Sequence, residues 1–273
     1  MKKFEGCLIC TDLDGTLFRS DKTVSKENID AIEYFKSEGG FFTFVTGRMP
    51  FFSQTAYEVI QPNAPFGCVN GGALFDHRTQ KYVWQTPLEP SALTLAAYVL
   101  ERAEDVGLQI NSFEHTYFCR ENSTMESFRQ LTGVPNLTCT LDGIDEPMAK
   151  ILFGDERDEV ILKIAALLAE HPLAEQFDFI RSEHSLYEIL PKGISKGTAL
   201  AKLVEYLFID GKRTIAIGDY HNDIGMFREA GIGIAVSNAC EEAKKAADRV
   251  TVSNEEHAIA RVIADLDSGT LVL

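Results

Sequence analysis

The fold is indicated by the stretch CLICTDLDGTL, residues 7–17, in which a short apolar run ends in an acidic loop. The run Cys7–Thr11 predicts a buried strand. Asp12 and Asp14 follow it two residues apart, a spacing that lets both side chains face the same way. At the carboxyl end of a parallel strand such residues lie where ligands bind, and two adjacent carboxylates call for a cation or a shared proton. Taken alone, Asp-x-Asp-Gly is more often an acidic turn.

Strands and helices alternate on both sides of a different middle segment. On the N-terminal side, Ser25–Glu38 predicts a helix capped by Ser25, and the apolar run Phe41–Val45 predicts a strand buried on both faces. A helix around Phe51–Ile60 and a strand Phe66–Asn70 follow. The C-terminal side repeats this alternation over Lys196–Asp265. This order predicts a parallel sheet covered by helices.

The middle of the chain, about residues 87–190, has a different pattern. It combines helices such as Ser91–Val106 and Asp158–Ala169 with alternating stretches and a hairpin pair, Phe177–Arg181 and Ser185–Leu190. We therefore predict an α/β fold with a doubly wound parallel-sheet core, formed by residues 1–86 and 191–273. A second α/β domain is expected to be inserted at residues 87–190.

A second acidic motif, Gly218–Asp223, follows the predicted strand Arg213–Ile217. Its Asp219, Asn222 and Asp223 side chains offer hard oxygen ligands of the kind that Mg²⁺ prefers. Asp, Asn and Gly are also ordinary turn residues, so the motif by itself does not distinguish a metal site from a turn.

Two further strand–helix junctions carry a hydroxyl and cations. Thr46, Gly47 and Arg48 follow the predicted strand that ends at Val45. Lys196 opens a predicted helix whose N-terminus favours an anion. Each pattern is weak alone, but together they place carboxylates, a hydroxyl and cations at four predicted strand–helix junctions.

On these residues the sequence resembles the haloacid dehalogenase superfamily, and within it the Cof-like phosphatases of subclass IIB. Asp12–Leu17 matches the first family motif, DxDGT, and Thr46 matches the second. Lys196, in SKGTAL, matches the third motif, and Gly218–Asp223 matches the fourth, GDxxND. Asn70-Gly71-Gly72 matches a pattern typical of this branch. The motifs occur in family order over nearly the whole chain, and the inserted segment corresponds to the α/β cap domain of the branch.

The resemblance implies a hydrolase that acts on the phosphate monoester of a small metabolite, a sugar phosphate or a similar compound. It implies that Asp12 attacks phosphorus and forms an aspartyl-phosphate. Asp14 is expected to protonate the leaving group and then to deprotonate water. That task requires a raised pKa at Asp14, which we expect the neighbouring carboxylate to supply. Mg²⁺ is expected on Asp12, the backbone carbonyl of Asp14, and Asp219, with Asp223 in support.

The resemblance also implies which residues bind the phosphate. Thr46, Lys196 and the backbone near Gly47 are expected to bind the phosphoryl oxygens and counter their charge. Three residues are further candidates for contact with the substrate: Arg48, Asn70 and Asn222. For Arg48, pairing with a surface carboxylate is an equally good interpretation. The chain departs from the family at Glu256–Ile259, where relatives often carry an Asp-Gly-Val-like sequence, which concerns the surroundings of the substrate at most.

Charge and hydropathy exclude several classes of protein. The chain has 26 Lys and Arg against 41 Asp and Glu, a formal net charge of −15. This argues against a protein that mainly binds nucleic acid or an anionic membrane, because both reward clustered cations. No stretch approaches the ~20 apolar residues of a membrane span, so a cytoplasmic protein is expected.

Two alternative functions stay open at this point. A phosphomutase of the same architecture would transfer the phosphoryl group to a second hydroxyl instead of to water. A regulator that binds a phosphorylated metabolite without turnover would need neither nucleophile nor metal. The simultaneous presence of Asp12, Asp14, Lys196 and Asp219 argues against the regulator.

Overall fold

Residues 2–273 are described by a computed structural model, in which the chain forms two units. The core unit comprises the segment that ends at Gln85 together with Ser195–Leu273. The inserted unit is the continuous segment Thr86–Ile194. The role of a cap for residues 87–190 stays a prediction.

The helices and strands follow in chain order. The first core segment contains β1 (Leu8–Thr11), α1 (Lys26–Ser37), β2 (Phe41–Phe44), α2 (Gln54–Ile60), β3 (Phe66–Cys68), β4 (Ala73–Asp76) and β5 (Lys81–Gln85). The inserted unit contains α3 (Ala92–Arg102), β6 (Gly107–Ser112), β7 (Thr116–Arg120), α4 (Ser123–Thr132), β8 (Leu137–Thr138), β9 (Met148–Gly154), α5 (Asp158–Glu170), β10 (Phe177–Glu183) and β11 (Leu186–Pro191). The second core segment contains α6 (Lys196–Leu207), β12 (Thr214–Gly218), α7 (Ile224–Glu229), β13 (Ile232–Ala235), α8 (Glu241–Ala246), β14 (Arg249–Val250) and α9 (Ala258–Asp267). Within residues 2–273, none of these helices has both the length and the apolar character to cross a bilayer.

The main sheet of the core unit is parallel throughout, in the order β14-β13-β12-β1-β2. At its centre, Ile9 lies between Ile215 of β12 and Phe42 of β2, and all three side chains are fully buried. Helices α1 and α9 pack on each other, as do α6 and α7. The predicted α/β fold is confirmed. Because β2, β1 and β12 run in parallel as neighbours, the loops after them emerge at one edge of the sheet.

The third strand of the first core segment differs from its prediction. Phe66–Asn70 is a strand only to Cys68, and an isolated parallel bridge between Val45 and Gly67 connects it to the end of β2. It pairs instead with β4, in a three-stranded antiparallel sheet of order β3-β4-β5. The strand stops because the backbone turns left-handed, with φ of 54° at Val69 and 53° at Asn70.

The inserted unit has its own six-stranded sheet, in the order β10-β11-β9-β6-β7-β8. All of its pairs are antiparallel except β7 with β8. Apolar side chains from alternate strand positions, including Leu108, Ile110 and Ile151, pack with residues of α3 and α5 into one buried cluster. Period-two alternation in the strands and a buried stripe on each helix explain this core.

Candidate active site

Three carboxylates converge at the edge of the sheet where β1 and β12 end. Asp12 directly follows β1, and its N–H donates to the carbonyl oxygen of Ile217 in β12 at 2.8 Å. Asp219 directly follows β12, and Asp223 ends a 3₁₀ turn after it. One carboxylate oxygen from each of these three residues lies within 4.8 Å of the others. The two acidic motifs, about two hundred residues apart in sequence, therefore form one cluster.

Lys196 places a buried cation inside this cluster. It is the first residue of α6, behind an N-cap at Ser195 whose hydroxyl accepts from the Thr198 N–H. Its Nζ donates to Asp12 Oδ1 and to Asp223 Oδ1, each at 2.6 Å. Burial would lower the pKa of Lys196, but the two carboxylates outweigh it and raise that pKa above its ordinary value. The ammonium form is therefore strongly favoured.

Asp223 also fixes the shape of the loop after β12. Its Oδ2 accepts hydrogen bonds from the backbone N–H groups of Asp219, at 2.8 Å, and Tyr220, at 2.9 Å. With Oδ1 on Lys196, this fully buried carboxylate holds both the loop and the cation. Asp223 therefore positions the groups around it.

Asp12 and Asp219 are held in surroundings that disfavour their charge. Burial raises the pKa of Asp12 well above its ordinary value; Lys196 opposes the shift, and Asp223 and Asp219 add to it. Burial and Asp223 likewise raise the pKa of Asp219, against the hydrogen bond from the Thr16 hydroxyl. One ammonium group does not balance three carboxylates, so a further cation is expected here. An all-oxygen set of this kind fits Mg²⁺.

Asp14 turns away from this cluster, and one expectation about it is wrong. Its carboxylate pairs with Arg48 Nη2, at 2.7 and 2.8 Å, and with Lys22 Nζ at 2.8 Å. Burial would raise the pKa of Asp14, but Arg48 and Lys22 outweigh it, so the pKa is lowered. The sequence predicted a raised pKa because it shows Asp12 two residues away. It does not show that Arg48 and Lys22 fold onto the same carboxylate.

A glycine lets the loop after β1 pass close to Asp219. Gly15 has a φ of +80°, and a Cβ atom there would lie 2.5 Å from Asp219 Oδ2. Thr16 donates its hydroxyl to Asp219 Oδ1 at 2.8 Å, and Asn238 Nδ2 donates to the Gly15 carbonyl at 2.8 Å. Neither Thr16, Asn238 nor Lys22 was assigned a role from the sequence. Of these three residues, only Thr16 could have been identified from the sequence, because it lies inside the first motif.

The remaining predicted residues lie on three segments: the loop after β2, the turn Val69–Gly71 and the turn His221–Asp223. Thr46 is buried after β2, and its carbonyl accepts from the N–H of Asn70 at 3.2 Å. Gly47 faces Asn70, since a Cβ atom there would lie 2.7 Å from Asn70 Oδ1. Asn222 lies in the turn before Asp223, and its Oδ1 is buried without a hydrogen-bond partner among the described residues. The phosphate and substrate contacts of these residues stay predictions.

Known proteins resemble this chain over almost its whole length. A family model of haloacid dehalogenase-like hydrolases matches residues 9–263. The 5-amino-6-(5-phospho-D-ribitylamino)uracil phosphatases YitU and YwtE of Bacillus subtilis are 27% and 29% identical, over 94% and 96% of this chain and 96% and 98% of their own lengths. A haloacid dehalogenase-like hydrolase from Bacteroides thetaiotaomicron has a TM-score of 0.83 and 25% identity, covering 96% of this chain and 100% of that one. The chain therefore belongs to the haloacid dehalogenase-like hydrolase family, as an enzyme of the phosphatase type that the sequence motifs predict.

Proposed function

We propose that this enzyme hydrolyses the phosphate monoester of a small metabolite, a sugar phosphate or a similar compound, in a Mg²⁺-dependent reaction. The observation that carries the proposal is the contact of Lys196 Nζ with Asp12 Oδ1 at 2.6 Å, beside Asp219 and Asp223. A carboxylate next to a buried cation and two further acids suits attack on a phosphoryl group whose charge must be neutralised.

Asp12 is proposed as the nucleophile. A carboxylate oxygen of Asp12 forms a bond to phosphorus while the bond from phosphorus to the ester oxygen breaks, which leaves an aspartyl-phosphate and, once the leaving oxygen is protonated, an alcohol. Water then attacks the same phosphorus atom, releases inorganic phosphate and restores the Asp12 carboxylate. Lys196 stays beside Asp12 in both steps and offsets the negative charge that develops on the phosphoryl oxygens.

Asp14 is proposed as the acid for the leaving group and the base for water. Its pairing with Arg48 and Lys22 opposes the first role, because both cations favour the carboxylate form. A dianionic phosphate that reaches Arg48 would compete with Asp14 for the guanidinium group. We propose that the substrate displaces Arg48 in this way and thereby raises the pKa of Asp14 before the proton is transferred.

Asp12 and Asp219 are proposed to hold Mg²⁺, with the Asp14 backbone carbonyl as a further ligand. When bound, the ion would reduce repulsion between the acidic cluster and the phosphate. Asp223 supports the site through the loop that it fixes and through Lys196. Thr46 and the backbone of Gly47 are proposed to complete the phosphate site.

A screen of phosphorylated small molecules tests this proposal. We expect release of inorganic phosphate from at least one sugar or polyol phosphate when Mg²⁺ is present. The screen should include a phosphorylated ribitylaminopyrimidine, because the relatives YitU and YwtE are named as phosphatases of such a compound. Phosphorus NMR of the same reactions would detect an isomerised phosphate ester. Isomerisation without phosphate release would favour a mutase. Binding without turnover of any compound would favour a regulator.

A further inference from the structure

A second group of possible metal ligands lies outside the acidic cluster. His221 belongs to the 3₁₀ turn that ends at Asp223, Cys240 precedes α8, and Glu242 lies in the first turn of that helix. One ligand atom from each lies within 4.8 Å of the other two. In a tetrahedral site with metal–ligand bonds of the usual length, these atoms would be about 3.4–3.6 Å apart. The ligand atoms must therefore approach one another by no more than about 1.4 Å to surround one ion.

The three side chains are available for such an ion. His221 and Glu242 are exposed, and Cys240 is half-buried. Among residues 2–273, no hydrogen bond or ion pair engages the Cys240 thiol, the Glu242 carboxylate or the His221 ring nitrogens, and the His221 ring packs edge-on against the Tyr220 ring. Binding therefore breaks no internal interaction of these groups, and their exposure leaves room for a water molecule as fourth ligand.

We propose that His221, Cys240 and Glu242 form a second cation site, selective for a borderline-soft divalent ion such as Zn²⁺. Zn²⁺ accepts thiolate sulfur, imidazole nitrogen and carboxylate oxygen as ligands in a tetrahedral site, and a water molecule can be the fourth. Mg²⁺ prefers oxygen ligands only and has no affinity for the thiolate. The site therefore differs in kind from the carboxylate cluster of Asp12, Asp219 and Asp223.

The proposed ligands come from two segments, both of which are close to Asp219. His221 comes two residues after Asp219 on one segment. Cys240, on the other, donates its backbone N–H to the Asp219 carbonyl oxygen at 2.9 Å. An ion bound to His221 and Cys240 would tie the turn to the start of α8. The binding proposal does not depend on the proposed phosphatase reaction.

Co²⁺ titration of the full-length protein tests the site, because Co²⁺ replaces Zn²⁺ and reports its ligands by absorption. Excess Mg²⁺ is present throughout to occupy oxygen-only sites. We expect a thiolate-to-cobalt charge-transfer band and tetrahedral visible bands that saturate at one equivalent, and that stoichiometric Zn²⁺ abolishes. Cys240→Ser should remove the charge-transfer band, and His221→Gln and Glu242→Gln should each weaken binding at least about tenfold.

Matched control variants test whether Co²⁺ binds at these three residues and not at other cysteines or carboxylates. Cys119→Ser changes another half-buried cysteine, in the inserted unit, and Glu241→Gln changes the carboxylate next to Glu242. Both should bind Co²⁺ as the unchanged protein does. Circular dichroism and thermal unfolding verify that every variant is folded. Absence of the charge-transfer band, its persistence in Cys240→Ser, or unchanged affinity in Glu242→Gln would overturn the proposal.

Discussion

At the scale of single residues, Lys196 is the group on which the acidic cluster depends. Its side chain is 2% exposed and contacts two carboxylates that are themselves buried. Breaking a buried ion pair by removing one partner is costly, because the other partner keeps its charge without compensation. Lys196 therefore has a structural role in addition to the catalytic role that we propose for it.

Replacing Lys196 and, as a control, Lys202 compares the loss of a buried ion pair with the loss of an exposed one. We expect Lys196→Met to lower the free energy of unfolding by about 3 kcal/mol in the presence of EDTA, and to reduce kcat more than about a hundredfold. Lys202→Met is the control, since Lys202 forms an exposed pair with Glu205 and should change stability by less than about 1 kcal/mol. Urea unfolding measures both variants. Equal stability of the two would show that the cluster does not need this cation.

The assignment of Asp12 as nucleophile leads to a second prediction at this scale. Asp12→Asn keeps the size of the side chain but replaces the carboxylate by a poor nucleophile, so turnover should fall at least about a thousandfold. Asp30→Asn, at an exposed pair with Lys26, should leave turnover unchanged. Phosphate release under saturating substrate measures both. If Asp12→Asn retains more than a few per cent of the activity, the assignment is wrong.

At the scale of elements, a tight turn positions the start of α6. The 3₁₀ turn Val69–Gly71 lies against Ser195, the residue that caps the helix opened by Lys196. Gly71 has a φ of +96°, and a Cβ atom there would collide with the Ser195 carbonyl oxygen. Gly71 of the Asn-Gly-Gly pattern is thus explained by the close approach of two backbones, which only glycine permits.

Substituting Gly71 tests this packing. Gly71→Ala should destabilise the protein by more than about 2 kcal/mol and also lower kcat, because relief of the collision displaces the end of α6 that carries Lys196. Gly133→Ala is the matched control: its φ is +68°, but no described atom lies within 4 Å of the added Cβ atom. That variant should cost about 1 kcal/mol and leave kcat unchanged. Similar effects of the two on kcat would argue against the packing role.

The inserted unit contains a carboxylate held by three donors. Glu146 accepts hydrogen bonds from the hydroxyl of Ser112 and, at 2.8 Å, from that of Tyr117, and its Oε1 lies 2.8 Å from His115 Nδ1. Burial would raise the pKa of Glu146, but these hydrogen bonds outweigh it and lower the pKa below its ordinary value. A lowered pKa in the folded state means that the carboxylate stabilises the fold above the pKa of the unfolded chain. This contribution is lost as the pH falls through the folded-state pKa.

Because the folded-state pKa of Glu146 is lowered, the effect of Glu146→Gln on stability should depend on pH in a defined direction. At neutral pH the variant should be less stable by about 1 kcal/mol, and the difference should shrink as the pH falls below the ordinary pKa of a glutamic acid and through the lowered folded-state pKa of Glu146. Urea unfolding at several pH values measures it. Glu121→Gln is the control: it removes a single ion pair with Arg129 and should change stability at neutral pH by about 0.5 kcal/mol or less. A difference that grows at low pH would contradict the role given to Glu146.

At the scale of the whole molecule, part of the negative charge is concentrated at one place. The formal net charge is −15, and three of the acidic residues gather around one point at the edge of the sheet. Such a cluster repels a phosphate ester unless a cation is bound. The carboxylate cluster therefore predicts that both stability and activity depend on a divalent ion.

Removal of the metal tests that dependence. We expect EDTA to stop phosphate release and Mg²⁺ to restore it, and Mg²⁺ at a hundred times its dissociation constant to stabilise the protein by about 2.7 kcal/mol. Asp219→Asn should remove most of the rise in Tm caused by Mg²⁺. Asp210→Asn, at the start of a distant 3₁₀ turn, should keep it. Full activity in EDTA would refute the proposed role of the metal.

Several features of this protein follow from sequence alone. The apolar run before Asp12, and the alternation of strands and helices, are sufficient to predict the parallel sheet. Buried parallel strands must be apolar, and their carboxyl ends must meet at one edge. The motifs at Asp12, Lys196 and Asp219 therefore converge as predicted, and the family follows from them.

Other features were decided only by tertiary structure. The left-handed backbone at Val69 and Asn70 ends β3, although these residues were predicted to continue the strand. The strand β3 then pairs with β4 in a second sheet. The pKa of Asp14 is lowered because Arg48 and Lys22, from separate loops, reach its carboxylate. Charge interactions depend on distance in space, and sequence spacing reports that distance only within a helix or strand. The sequence thus determined which groups are present, and the fold determined which charges they face.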